Sequence, residues 1–231
     1  MKNIIRRLFQ FQPANGSADL IDPTINAIRE YSMCDLGALQ LILRLSLYVN
    51  DNGIAGDLVE CGVCNGGSAA LIASKMRRQD LRLWLYDSFA GMPVTQEVDG
   101  IDARDWIGKC IGTKENVLQA LQLAGVSLDQ VVIKEGRFED TFTEGLPERI
   151  SLLHIDADWY ASVSLCLETF YDRVTNGGVV LLDDFGYWEG CREAFYDFCA
   201  ARRIKPVLER SGPSQAYWIK ERKHNRDLQR P

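Results

Sequence analysis

Four aspartates stand at two places where short apolar runs end. Asp156 and Asp158 follow the run Ile150–Ile155 in His154-Ile155-Asp156-Ala157-Asp158-Trp159-Tyr160, and Asp183-Asp184 follows Val179-Val180-Leu181-Leu182. If those runs are neighbouring strands, the carboxylates repel one another unless something positive neutralises them. A hard divalent cation takes oxygen ligands, and Mg2+ leaves coordination positions to water or substrate. A hydroxyl bound in such a position loses its proton more easily, and a carboxylate left over can accept it. The plain alternative is that Asp158 caps a helix and Asp183-Asp184 merely follow a strand. His154, inside an apolar run, reads as a satisfied core histidine before a catalytic one. Trp159, Tyr160, Tyr187 and Trp188 are candidates for the wall of an acceptor pocket.

A second constellation lies earlier, in Glu60-Cys61-Gly62-Val63-Cys64-Asn65-Gly66-Gly67-Ser68. Gly62 permits a tight turn, and Gly66, Gly67 and Ser68 let a ligand approach the backbone as a helix begins. A dinucleotide site would carry G-x-G-x-x-G. This turn is G-x-x-x-G-G with an acid just ahead of it. Glu60 disfavours a pyrophosphate and suits a positively charged amino group, such as that of S-adenosylmethionine. Asp87 ends the next apolar run, where a carboxylate can accept hydrogen bonds from ribose hydroxyls. Cys61-x-x-Cys64 has no second close pair to complete a zinc site.

The elements that must position these residues alternate. Strand-like runs at 58–61, 81–86, 131–134, 150–155 and 179–182 are separated by helical stretches at 68–78, 114–124, 160–172 and 189–203. The glycine pair Gly177-Gly178 interrupts the chain before the fifth run. Two late strands, around Val207 and at 215–219, flank a Ser-Gly-Pro turn. The pattern predicts a mostly parallel, doubly wound α/β sheet whose last pair is antiparallel. Residues 1–52 read as an N-terminal helical segment packed on the same domain, with a helical pattern from Pro23 to Asn50 and Asp35 as a cap. Residues 53–220 form the ligand-binding domain, and the charged chain from Lys220 through 221–231 reads as a mobile tail. The stretch from Ala90 to Gly112 has no period and is the candidate lid.

The chain has 231 residues and a net charge of −6, which gives no support to nucleic-acid binding by clustered cations. Seven scattered cysteines suit reduced thiols in a cytoplasmic protein. No run approaches the length of a membrane span, and Met1–Gln12 lacks the apolar core of a secretory signal. The expected partner is a small-molecule acceptor, with neither nucleic acid nor membrane; the N-terminal helices leave room for a homo-oligomer.

The residues resemble a known family, the macrocin-type (TylF-type) sugar O-methyltransferases of antibiotic biosynthesis. The matching stretches are Gly56–Val63 with Gly66-Gly67, Tyr86–Pro93, Glu135–Thr141, His154–Tyr160 and Gly177-Gly178 through Asp183-Asp184-Phe185. The resemblance implies a class I methyltransferase fold, seven strands with the last antiparallel. It implies methyl transfer from S-adenosylmethionine to a sugar hydroxyl of a glycoside, assisted by Mg2+ or another divalent cation. On that basis Asp156, Asp183 and Asp184 are metal ligands and Asp158 is the general base. Glu60, Gly62, Asp87, Ser88 and Phe89 contact the donor, with Gly136 and Phe138 on its adenine side. The chain departs from the family at Cys64 and Asn65, where an aromatic residue and an arginine are usual, at His154 for arginine and at Ala157 for glycine. Two other readings of the same residues are a metal-dependent catechol or phenol O-methyltransferase and, more remotely, an NAD-dependent oxidoreductase.

Overall fold

The computed structural model describes residues 21–143 and 145–223, so the readings placed on 1–20 and 224–231 lie outside the described residues. Seven strands form one sheet: β1 (Asp57–Cys61), β2 (Leu83–Asp87), β3 (Val131–Glu135), β4 (Ile150–Ile155), β5 (Val174–Leu182), β6 (Glu209–Ser211) and β7 (Gln215–Ile219). Their order is β3-β2-β1-β4-β5-β7-β6. Strands β1 to β5 run parallel, and β7 is antiparallel to both its neighbours, β5 and β6. The order reverses between β1 and β4, so a crevice opens beyond their carboxyl ends.

Helices α1 (Pro23–Ile28), α2 (Leu36–Asp51), α3 (Gly67–Ala73) and α4 (Lys114–Leu123) pack on one face, and α5 (Phe138–Thr141), α6 (Tyr160–Phe170) and α7 (Glu189–Arg202) on the other. Along β5, Val179 and Leu181 enter the first core while Val180 and Leu182 enter the second. Burial on both faces is why these strands read as unbroken apolar runs. Ile25, Ile28, Leu39 and Ile42 share a core with Leu58 and Ile72, so the N-terminal helices are part of the same packed body. Among the described residues no helix is long and apolar enough to cross a membrane.

Three local readings change. The single helical pattern from Pro23 to Asn50 is two helices, each with its own cap: Asp22 accepts from the Thr24 N–H and Asp35 from the Ala38 N–H, both at 2.8 Å. Between them a 3-10 turn, Arg29–Tyr31, gives way to extended backbone at Ser32, which lowers Met33 and Cys34 onto the crevice. Gly177-Gly178 lies inside β5 instead of ahead of it. Ile150 pairs with Val174 but Leu152 pairs with Val179, so the extra residues bulge, and Gly177 takes φ +86° to allow it. The chain from Lys220 is not loose at its start. The Lys220 ammonium donates to the carbonyls of Tyr171 and Val174 at 2.9 and 2.8 Å, and Arg222 pairs with Glu209 at 2.8 Å.

Candidate active site

β1 turns into α3 through Gly62–Gly66. Gly62 has φ +85°, and a methyl group placed on it would fall on the carbonyl oxygen of Asp156. Only glycine therefore lets the turn after β1 touch the end of β4, where the Asp156 N–H donates to the Cys61 carbonyl at 2.8 Å. Asp87, closing β2, holds the turn from the other side. Its Oδ2 accepts from the Val63 and Cys64 amides at 2.7 and 2.8 Å, and its Oδ1 from the Phe89 amide at 2.7 Å. Three amides do not exhaust the lone pairs of a carboxylate, so acceptor capacity remains on Oδ1.

Gly62, Ser68, Asp87, Ser88, Gly136 and Phe138 line one cavity of about 870 Å³, together with Asp156, Asp158, Asp183 and Asp184. That volume lies in the upper part of the range of about 300–1,000 Å³ found for small-molecule sites. Four of the expected donor residues are placed elsewhere. Gly66 and Gly67 lie against Val117 and against Tyr31-Ser32, where a side chain would collide. Phe89 packs on the core beneath α1–α4. Glu60 is fully buried, and its Oε1 meets His154 Nδ1 at 2.8 Å while its Oε2 has no hydrogen-bond partner.

His154 is buried, as its apolar run suggested. Glu60 and His154 are register neighbours on β1 and β4. The second ring nitrogen, Nε2, faces Asp183 Oδ1 at 3.2 Å, so the imidazole bridges two carboxylates. Burial opposes a charge on His154, but the Asp183 and Glu60 carboxylates outweigh it and hold its pKa well above the ordinary 6.5. Gln215, at the start of β7, donates to the same Asp183 oxygen at 2.6 Å. Burial also opposes the Asp183 charge, yet His154 and Gln215 keep its pKa below the usual value. No sequence signal marked Gln215.

The other three aspartates have no hydrogen-bonded counterion, although His154 lies near Asp156. Asp156, Asp158 and Asp184 each present a carboxylate oxygen within 4.8 Å of the others. Burial, followed by the Asp183 charge, pushes Asp156 well above its ordinary range; burial, followed by Asp158 and Asp156, does the same to Asp184. Burial raises Asp158 to about 7, even though the Trp188 indole N–H donates to its Oδ1 at 2.8 Å. Asp158 also sits at φ +55°, a strained backbone for a residue other than glycine. It does not cap a helix: the residue before α6 is Trp159, which makes no capping bond. Asp184 Oδ2 is buried with no partner. Crowded carboxylates with an orphaned oxygen are the kind of donors that could hold a hard divalent cation. His154, Asp156 and Asp183 form a second group within the same distance, with Asp156 common to both.

Ala90–Val94 and Trp106–Gly108, with Cys110, wall the cavity opposite the strand ends. The candidate lid is strapped down here. Asp99, buried at its centre, accepts from the Gln96 and Tyr160 amides at 2.7 Å each, and the Trp159 indole donates to the Pro93 carbonyl at 3.0 Å. Trp159 is consequently core, and the Tyr160 hydroxyl points away to Asp197. Of the four aromatic candidates Tyr187 and Trp188 reach the cavity, joined by Trp106, which nothing in the sequence singled out. The Cys61 thiol is buried and no cysteine joins a metal-capable group among the described residues.

The family model of macrocin O-methyltransferase (TylF) matches residues 28–220. The chain belongs to this family. It is 30% identical over 186 residues to the 8-demethyl-8-(2,3-dimethoxy-alpha-L-rhamnosyl)-tetracenomycin-C 4'-O-methyltransferase of Streptomyces olivaceus, covering 77% of this chain and 71% of the relative. It is 28% identical over 203 residues to the demethyldecarbamoylnovobiocin O-methyltransferase of Streptomyces niveus, covering 83% and 76%. Among solved structures, the O-methyltransferase NovP superposes with a TM-score of 0.73 at 27% identity over 83% of each chain. The calicheamicin methyltransferase CalS11, at 18% identity and a TM-score of 0.67 over 94% of this chain and 91% of that one, shares the fold. The protein is thus an O-methyltransferase of the adenosylmethionine-dependent kind on a class I methyltransferase sheet, and the oxidoreductase reading falls.

Proposed function

We propose that this methyltransferase moves the methyl group of S-adenosylmethionine to a sugar hydroxyl of a glycosylated natural product, with Mg2+ or a related cation at the aspartate cluster. The observation that carries the proposal is the crowded trio Asp156, Asp158 and Asp184, opening into the same cavity as the Gly62 turn and Asp87. The name of the tetracenomycin relative describes a rhamnosyl-bearing natural product as its substrate, which supports this reading. The lining supports an uncharged acceptor over a sugar carrying a diphosphate, since eight carboxylates and one guanidinium, Arg137, surround the space.

In this reading Gly62 and Ser68 contact the methionine end of the donor, Asp87 Oδ1 accepts from its ribose, and Gly136 and Phe138 flank its adenine. Asp156 and Asp184 would hold the cation, with Asp183 alongside. A divalent cation held by these aspartates would supply Lewis acidity toward an acceptor hydroxyl. Asp158, steadied by the Trp188 indole, accepts the hydroxyl proton. The acceptor oxygen bonds to the methyl carbon as the carbon–sulfur bond breaks, leaving adenosylhomocysteine. The strapped segment 90–110 keeps water out, and holding donor and acceptor in line supplies much of the rate.

Trp106, Tyr187 and Trp188 favour one second reading, a phenolic acceptor stacked on that wall. Assays of glycosides against catechols, each with EDTA-stripped and Mg2+-loaded protein, test both points. Methylation of glycosides that requires Mg2+ is the expected result. Equal rates with and without metal would remove the cation, and turnover of catechols alone would replace the acceptor.

A further inference from the structure

Asp183 differs from its three neighbours in having one oxygen fully spoken for. His154 Nε2 and the Gln215 amide both bind Oδ1, whereas Oδ2 has only the Cys34 thiol, at 4.0 Å. His154 is itself fixed by Glu60, so a chain of contacts runs from β1 through β4 to the end of β5, and is closed by β7. A buried ion cluster of this kind is weak evidence for stability, because desolvation offsets much of the attraction and an apolar replacement of the whole set is often as stable. What the arrangement does supply is direction. With Oδ1 pinned from two sides, the carboxylate is held against rotation, Oδ2 is its less engaged oxygen, and Asp183 groups with Asp156 and His154.

We infer that His154 and Gln215 are positioning residues that hold Asp183 Oδ2 ready for the cation. The inference rests on the metal reading above. Partners bound behind a metal ligand typically change metal affinity by about 10- to 100-fold when removed. Neither residue touches the donor pocket in this reading, so donor affinity is a control within the same protein.

The test uses His154→Gln and Gln215→Met in the full chain, with Mn2+ as the probe, its binding followed by electron paramagnetic resonance. Both variants are expected to bind Mn2+ about 10- to 100-fold more weakly, His154→Gln the more affected. The metal concentration for half-maximal activity should rise in parallel, the rate at saturating metal should largely recover, and adenosylhomocysteine affinity should stay at the wild-type value. Folded variants that bind Mn2+ as tightly as wild type overturn the inference. Should His154→Gln fail to fold, Gln215→Met decides, because it leaves the Glu60–His154 pair intact. Wild-type protein that binds no Mn2+ and ignores EDTA brings down the metal reading and this inference together; wild-type binding with unaltered variants brings down this inference alone.

Discussion

The two halves of the cavity are finished to different degrees. Around Asp87, three amides fix the carboxylate while leaving acceptor capacity on Oδ1, and the turn it braces is locked against β4 by the bare Cα of Gly62. On the acceptor side, Asp156, Asp158 and Asp184 crowd together with raised pKa values, one orphaned oxygen and one strained backbone. Backbone amides make the first half self-sufficient. The second half is a concentration of negative charge whose cost is relieved only when protons or a cation arrive. Asp183 shows the boundary: it lies in the same cluster, but an internal cation, His154, keeps it ionised.

The sharpest way to separate the halves is Asp158→Asn. Loss of a general base lowers kcat by about 100- to 10,000-fold. Adenosylhomocysteine affinity, measured by calorimetry, should hold at the wild-type value; near-normal turnover would remove Asp158 from proton transfer. Gly62→Ala strikes the donor half and the contact between halves. Its methyl group meets the Asp156 carbonyl at a left-handed backbone position, and overpacking with strain should cost about 2–5 kcal/mol. Thermal melts and donor titrations read this directly. Gly53→Ala, also left-handed but with open space around it, is the control and should lose only about 1 kcal/mol. Equal losses in the two would dissolve the claimed interlock.

The smallest effect is a pH trend. Carboxylates whose pKa is raised by folding bind protons more tightly in the native chain, so their contribution makes metal-free stability fall as pH rises from their unfolded values. For Asp158 that window runs from 3.8 to about 7, and the raised value of His154 acts with the same sign above its unfolded 6.5. Saturating Mg2+ competes with those protons. The Tm gained on adding it should therefore grow by a few degrees between about pH 5 and 8. A gain that shrinks with pH would mean that the cation, if bound, does not sit on these groups.

Much of this was legible from residue order. The buried runs announced the parallel strands because both faces of the sheet are covered, and Asp156 and Asp183-Asp184 converge because β4 and β5 are neighbours. What escaped depended on facts that periodicity does not carry. Glu60 looked like a ligand contact since it precedes a glycine turn, but strand alternation turns it to the buried face shared with Leu58, level with His154. Gln215 reaches Asp183 only because β7 inserts antiparallel beside β5. Gly177-Gly178 read as a break, whereas a bulge keeps both halves of β5 paired. The segment 90–112 read as loose for want of a period, yet a single buried carboxylate, Asp99, ties it to the start of α6.

The contact between Gly62 and the carbonyl of Asp156 also bears on how such an enzyme can change its substrate. On the proposed reading, the alignment of methyl donor against proton acceptor is set where two strand ends touch, and that place has no side chain to vary. The wall opposite is built from a separate stretch of chain, Ala90 to Cys110, with Tyr187 and Trp188. A designer, or a duplicated gene, can therefore rewrite the acceptor wall residue by residue while the reaction trajectory is inherited unchanged.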